Sequence, residues 1–364
     1  MNIVWYSEIK WDYLKTRKQH LLSYFPETDR VLFFQPFSFR GKNPFFVRRD
    51  KNITFITLPV YRPSSKEWIN KTLTHIVVRK VLYTLLALWE KLVIKIVFNQ
   101  PPDRYVFSNL FALPLLGKKV NCSWDYNDDP EQFGPQPKWA TSLLSEFLAD
   151  PNTNVIACSS HLKTKLEKTY SRSVHHIPNG VSLTDFSSQT SSLKLTDRKV
   201  LGYIGIISPW FFDFDLIKKI ANAHPDFEIK LYGPVDRNAQ KDLDKLSTIS
   251  NLNWSASIPY SEIPATMNTF RVGLVPLKSI PQVWQAASAK FLQYLAAGIP
   301  VVSTHMDQFV GLSQRAYMCK SHTEMLTGLE NALTVDKLET LPALSQYDWP
   351  YLSRHFRDII EASK

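Results

Sequence analysis

The chain has 364 residues, more than one compact core usually holds, so two domains of about 150–200 residues are expected. Apolar residues make up 44%, charged 21% and aromatic 13%, which excludes a disordered chain, and Cys122, Cys158 and Cys319 are too few and too scattered for a disulfide framework or a thiolate zinc site. Residues 1–100 hold 17 Lys/Arg against 7 Asp/Glu, an excess equal to the whole chain's net charge of +10, so this part attracts polyanions, either nucleic acid or an anionic membrane face.

Met1 to Tyr6 reads as a strand, and Glu8 and Lys10 follow too soon for a signal peptide. Further strands are expected near 30–35, 52–58, 104–107, 118–123 and 153–158, with helices near 11–24, 68–97, 138–149 and 159–170. The apolar stretch Ile76 to Phe98 is interrupted by Arg79, Lys80, Glu90, Lys91 and Lys95, leaving nine uncharged residues where a membrane span needs about 20. At 100° per residue those charges share an arc of about 160°, and Val81, Leu82, Leu85, Leu86, Leu88, Trp89, Leu92, Val93 and Ile96 share the other face, which is expected to pack in the core from Leu85 to Ile96. With Lys51, Arg62, Lys66 and Lys71 nearby, the charged side offers a surface to anionic lipid.

Polar Ser187 to Ser192 lacks apolar periodicity and is the expected linker. Beyond it, strands are expected near 198–205, 227–232, 251–254, 271–275, 299–303 and 315–318, with helices between them. The alternation gives an α/β fold of two Rossmann-like domains, 1–186 and 198–346, with linker 187–197 and a C-terminal helix in 347–364 that could pack back on the first domain. Ligands bind at the carboxyl ends of such strands, so an interdomain cleft is the expected site, although the fold alone names no reaction.

Three segments resemble nucleotide-sugar glycosyltransferases of the GT-B fold, family 4 and its relatives: Ile177-Pro178-Asn179-Gly180-Val181 with Asp185-Phe186; Gly202-Tyr203-Ile204-Gly205 with Leu231-Tyr232-Gly233-Pro234; and Gly273-Leu274-Val275-Pro276 through Lys290-Phe291-Leu292-Gln293 to Gly298-Ile299-Pro300. The third reads as a strand followed by a helix of about 13 residues from near Gln285 to a cap at Gly298, whose N-terminus would face a diphosphate. Where that family usually has two glutamates eight apart, this chain has Gln285 and Gln293, which can bond a hydroxyl but bring no charge. Lys290-x-x-Gln293 looks more like the inverting glucuronosyltransferase of xanthan assembly, and residues three apart share a helix face. The resemblance thus implies Gly205, Tyr232, Gly233, Gln285, Ala289, Lys290 and Gln293 as donor-binding residues, with Lys290 on the diphosphate and Gln293 on the ribose.

Trp124-Asp125-Tyr126-Asn127-Asp128-Asp129 and Trp11 to His20 resemble segments of bacterial polysaccharide glycosyltransferases. A carboxylate past a strand's C-terminal end can take a proton from an acceptor hydroxyl, and clustered carboxylates raise one another's pKa, so Asp128 is the expected base with Asp125 and Asp129 as neighbours. The order D-x-x-D-D also occurs in metal–diphosphate sites on helices, but here it follows a strand, and no histidine spacing suggests a metal.

The resulting expectation is a cytoplasmic glycosyltransferase on the inner membrane face, moving a sugar from a nucleoside diphosphate, UDP above all, to a lipid-linked glycan without a metal cofactor. The alternatives are a GT-B epimerase of the same donor and a basic nucleic-acid binder; the latter lacks any recognisable nucleic-acid motif. Neutral glutamines and an acidic base favour inversion.

Overall fold

Short runs rich in Val, Ile, Phe and Tyr form two sheets in the computed structural model, which describes the whole chain except residues 13, 38–42, 44, 46–47, 62, 65, 131–133, 188–193, 287, 338–340 and 363–364. The chain divides into two units, Met1–Ile177 with Ser353–Lys364, and Pro178–Leu352.

In the first unit, β1 (Asn2–Tyr6), β2 (Arg30–Pro36), β3 (Arg48–Asp50), β4 (Ile53–Leu58), β5 (Arg104–Phe107), β6 (Cys122–Tyr126), β7 (Asn154–Ala157) and β8 (His175–His176) lie in the order β3-β4-β2-β1-β5-β6-β7-β8. All neighbours are parallel except the edge pair β3 and β4. Strands β1, β4 and β6 are buried along their whole length, as befits a sheet covered on both faces. The helices are α1 (Arg17–Ser23), α2 (Glu67–Thr74), α3 (Ile76–Phe98), α4 (Lys138–Ala149) and α5 (Ser160–Tyr170), the last capped by Ser159, whose hydroxyl accepts from the Leu162 amide at 3.2 Å.

The second unit holds β9 (Val200–Ile204), β10 (Glu228–Tyr232), β11 (Leu252–Ser255), β12 (Phe270–Val275), β13 (Val301–Thr304) and β14 (Ala316–Cys319), all parallel, in the order β11-β10-β9-β12-β13-β14. Its helices are α6 (Leu183–Ser187), α7 (Phe214–Ala223), α8 (Gln240–Leu246), α9 (Ile263–Met267), α10 (Pro281–Trp284), α11 (Ala289–Ala296) and α12 (His322–Leu333). Helix α13 (Trp349–Glu361) begins in this unit, and from Ser353 onward it belongs to the first. There Phe356 stacks on Trp5, and Arg357 Nε donates to Asp29 at 2.6 Å.

Several sequence expectations shift. The first unit ends at Ile177 rather than 186, because Val181 and Phe186 pack in one core cluster with Phe270 and Phe291. Residues 188–193 of the expected linker, 187–197, lie outside the described residues, and Leu195–Asp197 forms one turn of 3-10 helix. Helix α1 starts at Arg17 rather than 11, where the Thr16 amide donates to Gln19 Oε1 at 3.1 Å. The helix expected over 68–97 breaks at His75, whose backbone is extended. In α3 the core takes Leu86 and Val93 from the expected apolar face together with Tyr83, Glu90 and Val97, while Val81, Leu85, Leu88, Leu92 and Ile96 of that face are exposed, so the buried side is rotated away from the expected one. Burying Glu90 is possible because Tyr6 Oη donates to it and Lys119 pairs with it at 3.1 Å. Among the described residues no helix is long and apolar enough to cross a membrane.

Candidate active site

Strand β6 runs through Tyr126 rather than ending at 123, so Asp125 lies inside a strand instead of after one. Its carboxylate is buried and accepts from Arg17 Nε at 3.0 Å, while Oδ2 has no hydrogen-bond donor among the described residues. Asp129 is buried too, accepting from Tyr126 Oη at 3.2 Å and from Lys165 Nζ at 2.5 Å. Asp128, between them, is exposed and accepts from Asn127 Nδ2 at 2.6 Å.

Asp125 and Asp128 line one cavity of about 580 Å³ within the first unit. Glu8, Ser108, Asn109, Asn127 and Gln136 add further polar groups, and Tyr61, Phe111 and Trp124 supply its aromatic surface. Asn109 is held by donating to the Ser7 carbonyl at 3.0 Å and accepting from the Phe111 amide at 3.0 Å. Beside the cavity residues, buried Lys18 donates to Glu8 at 2.5 Å; burial would lower its pKa, but Glu8, Asp125 and Asp128 raise it. The Asp128 pKa is raised, first because the surrounding protein displaces hydrating water, and further by Glu8 and Asp125, against the opposing charge of Lys18. A concave wall both reaches solvent and loses part of its hydration, so exposure and a raised pKa coexist there.

Glu8, Asn109, Gln136 and Tyr61 were not singled out as site residues from the sequence. Nothing local marks them, since they come from four separate connections. Arg17 and Lys18 were visible only within the Trp11 to His20 segment.

In the second unit the helix expected from Gln285 to Gly298 is two helices. Gln285 caps α10, and Ser288 takes an extended conformation before α11 starts at Ala289, in keeping with serine's preference for helix starts. Gln285 and Gln293 therefore sit on different helices. Gly298 does cap α11: its φ is +75°, its amide donates to Leu295 O at 3.0 Å, and the Ile299 amide donates to Tyr294 O at 3.2 Å.

Lys290 and Gln293 come together, with Lys290 Nζ donating to Gln293 Oε1 at 3.3 Å. Among the described residues no carboxylate pairs with Lys290, and burial pulls its pKa down to about 8. Ser288 makes no side-chain cap, so the first amides of α11, including that of Ala289, keep donor capacity. Tyr294 fixes α11 to the end of β9, its hydroxyl accepting from the Ile204 amide at 3.0 Å and donating to Gly202 O at 3.2 Å.

Gly205, Tyr232 and Gly233 also converge: the Gly205 amide donates to Tyr232 O at 2.8 Å, and a Cβ on Gly233, whose φ is +150°, would lie 1.8 Å from Gly205 O. The close approach of two strand ends thus accounts for Gly233 without a ligand. Tyr232 stacks on Phe270 at 6.2 Å. Among the described residues no cluster of His, Cys, Asp or Glu is arranged to hold a metal ion.

Solved structures match this architecture over its length. A trehalose-6-phosphate structure from E. coli bound with UDP-2-fluoro glucose matches with a TM-score of 0.69 at 12% identity, covering 100% of this chain and 99% of that one. The fold is that of the GT-B glycosyltransferases. Anabaena Alr3699/HepE in complex with UDP and glucose shares this GT-B fold, with a TM-score of 0.65 at 14% identity over 99% of each chain. WaaG, a glycosyltransferase involved in lipopolysaccharide biosynthesis, does so with a TM-score of 0.59 at 15% identity, over 98% of this chain and 95% of its own. No protein-family model matches the chain. In sequence it is 32% identical over 216 residues to a Bacillus subtilis (strain 168) protein whose name, teichuronic acid biosynthesis glycosyltransferase TuaH, is itself provisional. That match covers 54% of this chain and 54% of the relative, so it spans about half of each.

Proposed function

We propose that this chain is a glycosyltransferase that moves a sugar from a UDP-sugar to a hydroxyl of a lipid-linked glycan in cell-surface polysaccharide synthesis, at the inner membrane face. The observation that carries the reading is Lys290: a half-buried cation without a carboxylate partner among the described residues, one residue into a helix whose first amides keep donor capacity. A diphosphate satisfies both. The UDP-bound and polysaccharide-related proteins of like fold, and the similarity to TuaH, support the donor and the product class.

In this reading Lys290 and the α11 amides neutralise the charge that develops on UDP as it departs, and Gln293 bonds a ribose hydroxyl. Gly205, Tyr232 and Gly233 shape the strand ends beside it, and Gln285 and Ala289 flank the start of α11. The acceptor sugar lies in the first unit's cavity against Tyr61, Phe111 and Trp124. Asp128 takes the proton of the acceptor hydroxyl as its oxygen attacks the anomeric carbon, and the bond to UDP breaks with the electron pair leaving on phosphate oxygen. Asp125, held by Arg17, orients this cavity wall. A direct attack of this kind inverts the anomeric centre, and Lys290 makes a divalent metal unnecessary.

Purified protein incubated with UDP-sugars tests the reading. Release of UDP that persists in EDTA, with the product of opposite anomeric configuration by NMR, is expected. Inversion at the donor's C2 would identify an epimerase instead, and loss of activity in EDTA or retention of configuration would overturn the metal-free or the direct-attack step.

A further inference from the structure

Helix α3 turns apolar side chains outward along its whole length. Val77, Val81, Leu85, Leu88, Leu92 and Ile96 are each between 50% and 65% exposed. Their spacings of three and four keep them on one stripe of a helix, about 28 Å long at 1.5 Å per residue. Soluble helices put such a stripe in the core, but here the core is served by the opposite face, through Tyr83, Leu86, Val93 and Val97.

The charges around the stripe select its occupant. Lys80, Lys91 and Lys95 are exposed along one edge, α2 adds exposed Lys71 and Trp68, and Glu67 is the one exposed acid on the two helices, since Glu90 is buried. A second copy of the chain would bring one lysine edge towards another with little acid to offset it. An anionic lipid surface complements all of it: phosphates for the lysines, the headgroup region for Trp68, and the acyl boundary for the stripe.

We infer that α3 docks this chain on anionic lipid by sinking the Val77 to Ile96 stripe into the bilayer surface, with the lysine edge on lipid phosphates. This rests on the membrane-side reading above and changes its mechanism from surface electrostatics to shallow hydrophobic insertion. The helix lies in the interface plane and does not cross.

Sedimentation with vesicles of phosphatidylcholine, with and without one third phosphatidylglycerol, separates the possibilities. The unaltered chain should bind the mixed vesicles and keep part of that binding at 1 M salt, where the Debye length is about 3 Å. The exposed-site variant Leu85→Glu/Leu88→Glu should lose about tenfold or more of the binding while retaining its affinity for UDP, which also shows that it is folded. Equal binding by that variant would overturn the role of α3 and leave the membrane reading intact. Failure of the unaltered chain to bind either vesicle would overturn both. A dimer seen by sedimentation without lipid and abolished in the variant would give the stripe to a second copy and overturn the inference. The three native cysteines are buried, so Leu88→Cys can be labelled selectively with an environment-sensitive dye. Its emission should shift to the blue on vesicles, and an unchanged spectrum in the bound protein would refute insertion.

Discussion

Arg17 Nε donates to Asp125 Oδ1 at 3.0 Å, and both side chains are buried, tying α1 to β6 at the cavity. Removing one partner of a buried ion pair leaves the other charge uncompensated, at about 3–5 kcal/mol. Arg17→Met and Asp125→Asn should therefore lower the unfolding free energy by that order, measured by denaturant titration, and lower activity as a consequence. A variant of either kind with unchanged stability would show that the pair does not hold this wall in place.

Asp128→Asn should behave differently. The residue is exposed and makes one contact with a neighbouring asparagine, so stability should stay within about 0.5 kcal/mol. Loss of a general base should reduce kcat by about 10²–10⁴ with little change in UDP affinity. Because the base acts ionised and its pKa is raised by crowding, Glu8 and Asp125, kcat/KM should fall on acidification at a pH above the ordinary aspartate range. Near wild-type turnover in Asp128→Asn would move the role elsewhere in the cavity, with Glu8 the first alternative.

In the proposed donor site the Lys290 ammonium is the form that would bind a diphosphate, and burial lowers its pKa to about 8. UDP affinity, followed by calorimetry, should thus be full below that value and decline as pH rises through it, with proton uptake on binding in the same range. Lys290→Ala removes a charged contact, costing about 1.5–3 kcal/mol, and Gln293→Ala a neutral one, costing about 0.5–1.5. A flat pH dependence, or equal and negligible losses, would remove both residues from the donor site.

Asp29 is buried, which by itself raises its pKa, yet hydrogen bonds from Arg357 and the N-terminal ammonium outweigh burial and lower it. A folded pKa below the unfolded one stabilises above the unfolded value, near 3.8, and that contribution fades as pH falls through the folded value. Arg357→Ala should cost about 1.5–3 kcal/mol at pH 7 and progressively less at lower pH. A cost independent of pH would assign the effect to packing of the arginine stem.

Sequence alone determined the features that depend on local spacing. β-Branched and aromatic runs gave most strands of both sheets, though not the short edge strand β3, Ser159 marked the start of α5, and the three-residue spacing of Lys290 and Gln293 put them on one helix face because neighbours on a helix are set by its pitch. Tertiary structure decided whatever needs partners distant in the chain. Periodicity could describe the faces of α3 but not choose the buried one, because that depended on Tyr6 and Lys119 being in place to receive Glu90. The cavity around Asp128 likewise exists only because β1, β5 and β6 bring Glu8, Asn109 and Asp125 to the same side of the first unit, and no local pattern encodes that meeting.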